Sequence, residues 1–100
     1  MTRLSAFEWG VKHLISNDLI DSDPQQLITK AEADGYFLWV TEFIGTTVDY
    51  LRLEAWYKLL DLMFEADSYM VETKLEYCCI LFESASDAVR FRFEVAEQTA

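Results

Sequence analysis

Residues 69–83 read YMVETKLEYCCILFE, and this stretch decides the fold class. Its first half alternates, with Val71, Thr73, Leu75 and Tyr77 on one side and Glu72, Lys74 and Glu76 on the other. A period of two is the pattern of a β-strand with one buried and one wet face. From Tyr77 the run YCCILF is apolar at every position. A strand that loses its polar face has moved to the middle of a sheet, covered on both sides. The stretch reads as a strand from Tyr69 to Glu83 that enters a sheet centre.

Such a strand needs partners. Residues 36–44, YFLWVTEFI, are aromatic and β-branched and lie between Gly35 and Gly45. They read as a strand, with a helix as the competitor because a short apolar run is ambiguous in period. Residues 89–95, VRFRFEV, alternate without a break and favour a third strand, although Ser84-Ala85-Ser86-Asp87 also fits the start of a helix. Three strands make a sounder sheet than two.

Helices fill the rest. Ser5 and Glu8 have the spacing of a capping box, Leu4 and Trp9 that of a hydrophobic staple, and Leu4, Phe7, Val11, Leu14 and Ile15 fall at helical spacing. This places a helix from about Ala6 to Ser16. A second helix starts with Asp23 as cap, Pro24 in the first turn and Gln26 completing a box. It ends at Gly35, with Leu27, Ile28 and Ala31 inward. Thr46 to Ala66 is a long helix opened by Thr46 and Asp49. One apolar stripe on it is Val48, Leu51, Ala55, Leu59, Leu62 and Ala66; the opposite side carries Tyr50, Leu53, Tyr57, Leu60 and Phe64; Glu54, Lys58, Asp61 and Glu65 lie between. So apolar a helix requires cover on two sides. The expected fold is α+β: a small antiparallel sheet of two or three strands covered by three helices, in the order α-α-β-α-β-β, as one domain over residues 1–100.

Composition restricts function. The chain has 100 residues, 52% of them apolar and 15% aromatic, enough for a core without disulfides or metal. It carries 18 acids against 8 bases, a formal net charge of −10. That field repels phosphates and anionic lipid, so direct nucleic-acid or membrane binding is disfavoured and a basic protein is the natural partner. Cys78 and Cys79 are adjacent, point to opposite faces of a strand, and read as free buried thiols in a reducing cytoplasm. The N-terminal residues lack a signal-peptide pattern, and no run approaches the ~18 apolar residues of a membrane span. A cytoplasmic location is expected, which for a phage protein means the host cell.

Catalytic and metal signatures are missing. His13 is the sole histidine and has no sequence neighbour suited to orient it. A thiolate pair of His13 with Cys78 or Cys79 has no support in the flanking residues. The run Asp18, Asp21, Asp23 lacks the glycine and distant glutamate of a calcium loop. Three scattered glycines build no phosphate cradle. No cofactor is expected, and no enzymatic activity.

Two features remain. Glu54, Asp61, Glu65, Asp67, Glu72 and Glu76 run from the long helix into the next strand and are the candidate partner-binding acids. Leu53, Tyr57, Leu60 and Phe64 follow the spacing of a helix seam, covered either within the monomer or by a second copy. In size and charge, though in no motif, the chain resembles bacterial immunity proteins, antitoxins and phage-encoded nucleic-acid mimics, including some anti-CRISPR proteins. That resemblance implies a non-enzymatic domain that blocks a basic, nucleic-acid-binding protein. The alternative is a homo-oligomeric assembly protein built on the seam.

Overall fold

The stretch 69–83 does not run through as one strand. It folds back as a hairpin of β2 (Tyr69–Lys74) and β3 (Tyr77–Phe82), with Lys74 opposite Tyr77. Glu76 takes a φ of 75°, the left-handed conformation such turns require. Asparagine or glycine normally supplies it, so the alternation reads straight through a turn that carries no turn residue.

In this computed structural model, which describes residues 3–15, 24–74 and 76–99, the chain is an α+β domain of four helices and one three-stranded antiparallel sheet. The remaining strand, β1 (Phe37–Glu42), pairs with β3 from Phe37 opposite Phe82 to Glu42 opposite Tyr77, giving the order β1-β3-β2. The central position of β3 explains why YCCILF is apolar on both faces. Cys79 and Leu81 point to one layer of helices, and Cys78, Ile80 and Phe82 to the other. Both cysteines are free and fully buried, on opposite faces as alternation requires.

One helical layer is α1 (Ala6–Gly10), which widens into a π-helical turn over Val11–Ile15, together with α2 (Pro24–Ala33). The capping box is present: Ser5 Oγ accepts from the Glu8 amide at 3.1 Å, and Glu8 Oε1 from the Ser5 amide at 3.2 Å. The expected inward stripe is rotated, however. Ala6, Trp9, Gly10 and Leu14 are buried, while Leu4, Phe7 and Val11 stay exposed. Small residues one turn apart let the backbone approach the sheet, and a Cβ on Gly10 would strike the Met70 sulfur. Trp9 fills the space beside them, its Nε1 donating to Asp34 Oδ2 at 2.7 Å. In α2, Leu27 and Ala31 are buried with Ile28 against them, and Gly35 turns the chain at φ 88°. Asp23, its expected cap, lies outside the described residues, as do Asp18 and Asp21.

The other layer is α3 (Thr47–Met63) and α4 (Ala85–Thr99). Residues 89–95 are therefore helical, not the third strand expected. Ser84 Oγ accepts from the Asp87 amide at 3.4 Å, and Ala88, Phe91 and Val95, spaced i, i+3, i+7, face the core. The alternation in VRFRFEV satisfies both periods, and the hairpin had already supplied the missing strand. α3 begins on the Thr46–Asp49 box but stops at Met63, where Phe64 turns extended, three residues short of Ala66. A single 3-10 turn, Ala66–Ser68, leads into β2.

α3 is covered on one side, not two. Its inward face is centred on Trp56, whose ring lies tilted 5.2 Å from that of Trp39 and edge-on 6.5 Å from that of Phe91, with Leu59 on one flank and Leu60 on the other. The two expected stripes lie on either side of that tryptophan. Of the first only Leu59 is buried; Val48, Leu51 and Leu62 are 70%, 62% and 83% exposed.

Candidate functional site

The six acids named from the sequence do not form one patch. Glu54 and Asp61 lie two turns apart on one side of α3, and Glu65 and Asp67 follow in the turn after it. Glu72 sits on β2 opposite Cys79, directed to the α1/α2 side. Glu76 lies in the hairpin turn, at the far end of β2 from Asp67; a six-residue strand separates them, about 20 Å. The structure thus gathers Asp61, Glu65 and Asp67 around the C-terminal end of α3, with Glu54 leading to them. Lys58 faces Glu54 at 3.3 Å and is mostly solvated. Asp61 accepts a hydrogen bond from the Tyr69 hydroxyl. Burial, then that bond and the Asp61 charge, push the Tyr69 hydroxyl up to about 12. Burial, with smaller effects from Cys78 and Glu72, also raises Tyr57.

The placement of Asp61 is electrostatically unfavourable. A helix C-terminus carries partial negative charge, and cations there are favourable by ~0.3–1 kcal/mol each. The last turn of α3 holds no basic residue. Asp61 works against the dipole there, while Glu65 and Asp67 stand at the start of the 3-10 turn that follows.

The seam Leu53, Tyr57, Leu60, Phe64 is not a free surface. Leu60 is fully buried, Leu53 and Phe64 pack against the same core, and only Tyr57 is open. The sheet and α4 cover it within the monomer. The open apolar residues include Val48, Tyr50, Leu51 and Leu62 on α3 and Val89 and Phe93 on α4, besides Leu4, Phe7 and Val11 at α1 and Ile44 before α3. Val89, Phe93 and Ala96, with Arg92, line a shallow groove of ≈ 310 Å³. Helical spacing of Val89, Phe93 and Ala96 was the signal for it, hidden by the strand reading.

His13 and Cys78 lie on different faces of the sheet and build no reactive pair. The His13 ring lies 4.6 Å from that of Trp9, and burial, then the charges of Lys30 and Lys12, lower its pKa against a smaller opposing effect of Asp34. Cys78 points to the other face of the sheet, and burial pushes its thiol up to about 11, so at neutral pH it is protonated and a poor nucleophile. Among the described residues no three histidine, cysteine or acidic side chains could share a metal ion, and no helix is long and apolar enough to cross a membrane.

One acid is structural. Asp49 is buried and accepts from the Ile44 amide at 2.9 Å, the Thr46 amide at 3.4 Å and Arg52 Nη2 at 2.9 Å. The Ile44 hydrogen bond foremost, with Thr46 and Arg52, outweighs burial and holds the carboxyl below its usual 3.8. A carboxyl depressed on folding stabilises the fold above its unfolded value and loses that effect as pH falls through the folded one. Asp49→Asn should therefore lower Tm at neutral pH, and the gap to wild type should close below about pH 4, as thermal scans across pH will read.

No protein-family model matches the chain, and no curated protein and no solved structure is significantly similar to it.

Proposed function

We propose that this chain is a non-enzymatic binding domain that sets the acids at the end of α3 against a basic partner protein, blocking a surface that otherwise holds nucleic acid. The observation that carries the reading is the concentration of Asp61, Glu65 and Asp67 at the end of α3 and the turn after it, where Asp61 stands in a last turn that holds no basic residue. The formal charge of −10 extends the same field over the molecule, which speeds encounter with a cationic site and competes with phosphate. Two free buried thiols accord with a reducing compartment such as the cytoplasm. Targets of this chemistry are the nucleases and nucleic-acid-binding effectors that immunity proteins, antitoxins and anti-CRISPR proteins neutralise.

The test leaves Asp61 in place, since Tyr69 depends on it, and reverses its exposed neighbours. Affinity capture from lysate at low salt should recover a basic nucleic-acid-binding protein that high salt releases. With the purified partner, Glu65→Lys combined with Asp67→Lys should slow association roughly tenfold and flatten its salt dependence. Capture of no basic protein, or association unchanged by the double reversal, ends the proposal.

A further inference from the structure

The sheet has two edges that are finished differently, and we infer that the open one, on β2, receives an extended basic segment of the partner protein as a fourth strand. The inference rests on the acidic-partner reading and says how that partner is held. The Phe43 amide donates to the Glu76 carbonyl at 3.2 Å, which fixes the alternation of the ladder. Phe37, Trp39 and Thr41 then bond to β3, and Tyr77, Cys79 and Leu81 turn their main-chain groups to Lys74, Glu72 and Met70 of β2. The main-chain groups left pointing outward belong to Leu38, Val40 and Glu42 on β1 and to Tyr69, Val71 and Thr73 on β2. The β1 edge is closed at both ends. Leu38 is 3% exposed in the core it shares with α2, and the Glu42 carbonyl accepts from Arg52 Nη2 at 3.0 Å. On β2, Tyr69 is buried, but Val71 is half-buried and Thr73 exposed. Among the described residues neither Val71 nor Thr73 has a hydrogen bond outside the sheet. Such a row of unpaired main-chain groups is a template for another strand.

Charge selects the occupant. The chain that borders this edge, from Glu54 through α3 and the hairpin to Glu76, holds six acids (Glu54, Asp61, Glu65, Asp67, Glu72 and Glu76) against two bases, Lys58 and Lys74. Lys58 is already engaged by Glu54. Arg52 and Arg90 belong to other contacts, the first to Asp49 and the β1 edge, the second to the ring of Phe64. On the α3 side, Tyr57 is open to solvent and near enough to Glu72 and Tyr69 for electrostatic influence, while Asp61 accepts from the Tyr69 hydroxyl. An added strand sends alternate side chains to opposite faces. Those on the α3 face meet the Tyr57 ring and Asp61, where a lysine or arginine finds both a π-face and a carboxylate. Those on the other face come opposite Glu72. The edge thus demands an extended main chain and its borders demand positive charge. A helix has no free ladder to offer, and a nucleic acid has the wrong sign.

The probe is a short synthetic peptide rich in valine and threonine, with lysines on both faces. Hydrogen exchange followed by NMR reads the alternation directly. On binding, the amides of Val71 and Thr73 should exchange about tenfold more slowly, while that of Glu72, already bonded to β3, should change little. Methylating alternate main-chain nitrogens of the peptide leaves its charge intact. It should weaken binding about tenfold in one register and hardly at all in the other. Thr73→Pro removes an outward amide without touching the ladder to β3. This variant should hold both the peptide and the captured partner about tenfold more weakly, with an unchanged circular-dichroism spectrum. Should it not fold, the methylated peptides carry the same reading. Three results would overturn the proposal: exchange at Val71 and Thr73 that the peptide leaves unchanged; equal tolerance of both methylation registers, as for a contact by charge alone; or amides already protected in the free protein by pairing of two copies along β2, which dilution reverses. The two readings fail separately. A captured basic partner weakened by Glu65→Lys with Asp67→Lys, yet indifferent to Thr73→Pro, sinks the added strand and leaves the acidic-partner reading standing. A peptide bound along β2 with the expected alternation, in a protein that captures no basic partner, supports the edge site and sinks the other.

Discussion

Phe91→Ala should cost the fold about 3–5 kcal/mol, while Phe93→Ala, two residues on, should change stability by less than ~0.5 kcal/mol. Phe91 is fully buried, with its ring 5.6 Å from those of Trp39 and Phe82 and 6.5 Å from that of Trp56. Its removal opens a cavity where both helices of the layer meet the sheet. Phe93 is 69% exposed. For a domain of this size each kcal/mol is worth ~4–8 °C, so the first variant should melt roughly 15–30 °C below the second. The pair also tests the helix itself, because on a strand the two phenylalanines would share a face and lose stability together. Thermal or urea unfolding of the two variants, read by circular dichroism, provides the measurement.

A second pair separates the buried flank of α3 from its open one. Leu60→Glu should abolish folding. The side chain is fully buried, and an unpaired carboxylate there adds several kcal/mol of desolvation to the loss of leucine packing, against a total stability of ~5–15 kcal/mol. Leu62→Glu should leave the monomer folded with Tm within a few degrees of wild type, since Leu62 is already in water. Were Leu60 part of a surface seam, its glutamate variant would be a well-folded protein; a cooperative melt for it would remove Leu60 from the core.

What the sequence discloses about this fold is what rests on local chemistry. Ser5 with Glu8 and Thr46 with Asp49 form the boxes their spacing implies, and Gly35 takes the left-handed conformation its position implies. Such signals involve residues within one turn of each other. The hairpin was not legible because Glu76 adopts a positive φ without the residue type that advertises it. α4 was not, because VRFRFEV fits two periods and only the position of Ala88 and Phe91 over the sheet decides between them. The orientation of α3 turned on Trp56, which lies between two apolar stripes and carries the largest surface to bury. For the site, the run of acids was visible, but the length of β2 carries Glu76 away from Asp67. The open stripe was invisible for a deeper reason: exposure depends on which helices share a layer, a property of the whole chain.

The central place of β3 has a consequence for the order in which this molecule is made. β1 has no partner until residues 77–82 exist, and Trp56 has no Phe91 to pack on until α4 does. A chain growing on the ribosome therefore holds its first seventy residues, with four of its helical and strand segments, as a set of amphipathic pieces that have no common sheet to close on. The β2–β3 pairing is local, whereas β1 pairs with β3 across a separation of some forty residues, a non-local contact of the kind that slows folding. Fragments ending before Phe82 lack part of the central strand and should be cleared by proteases while the longer chain survives them.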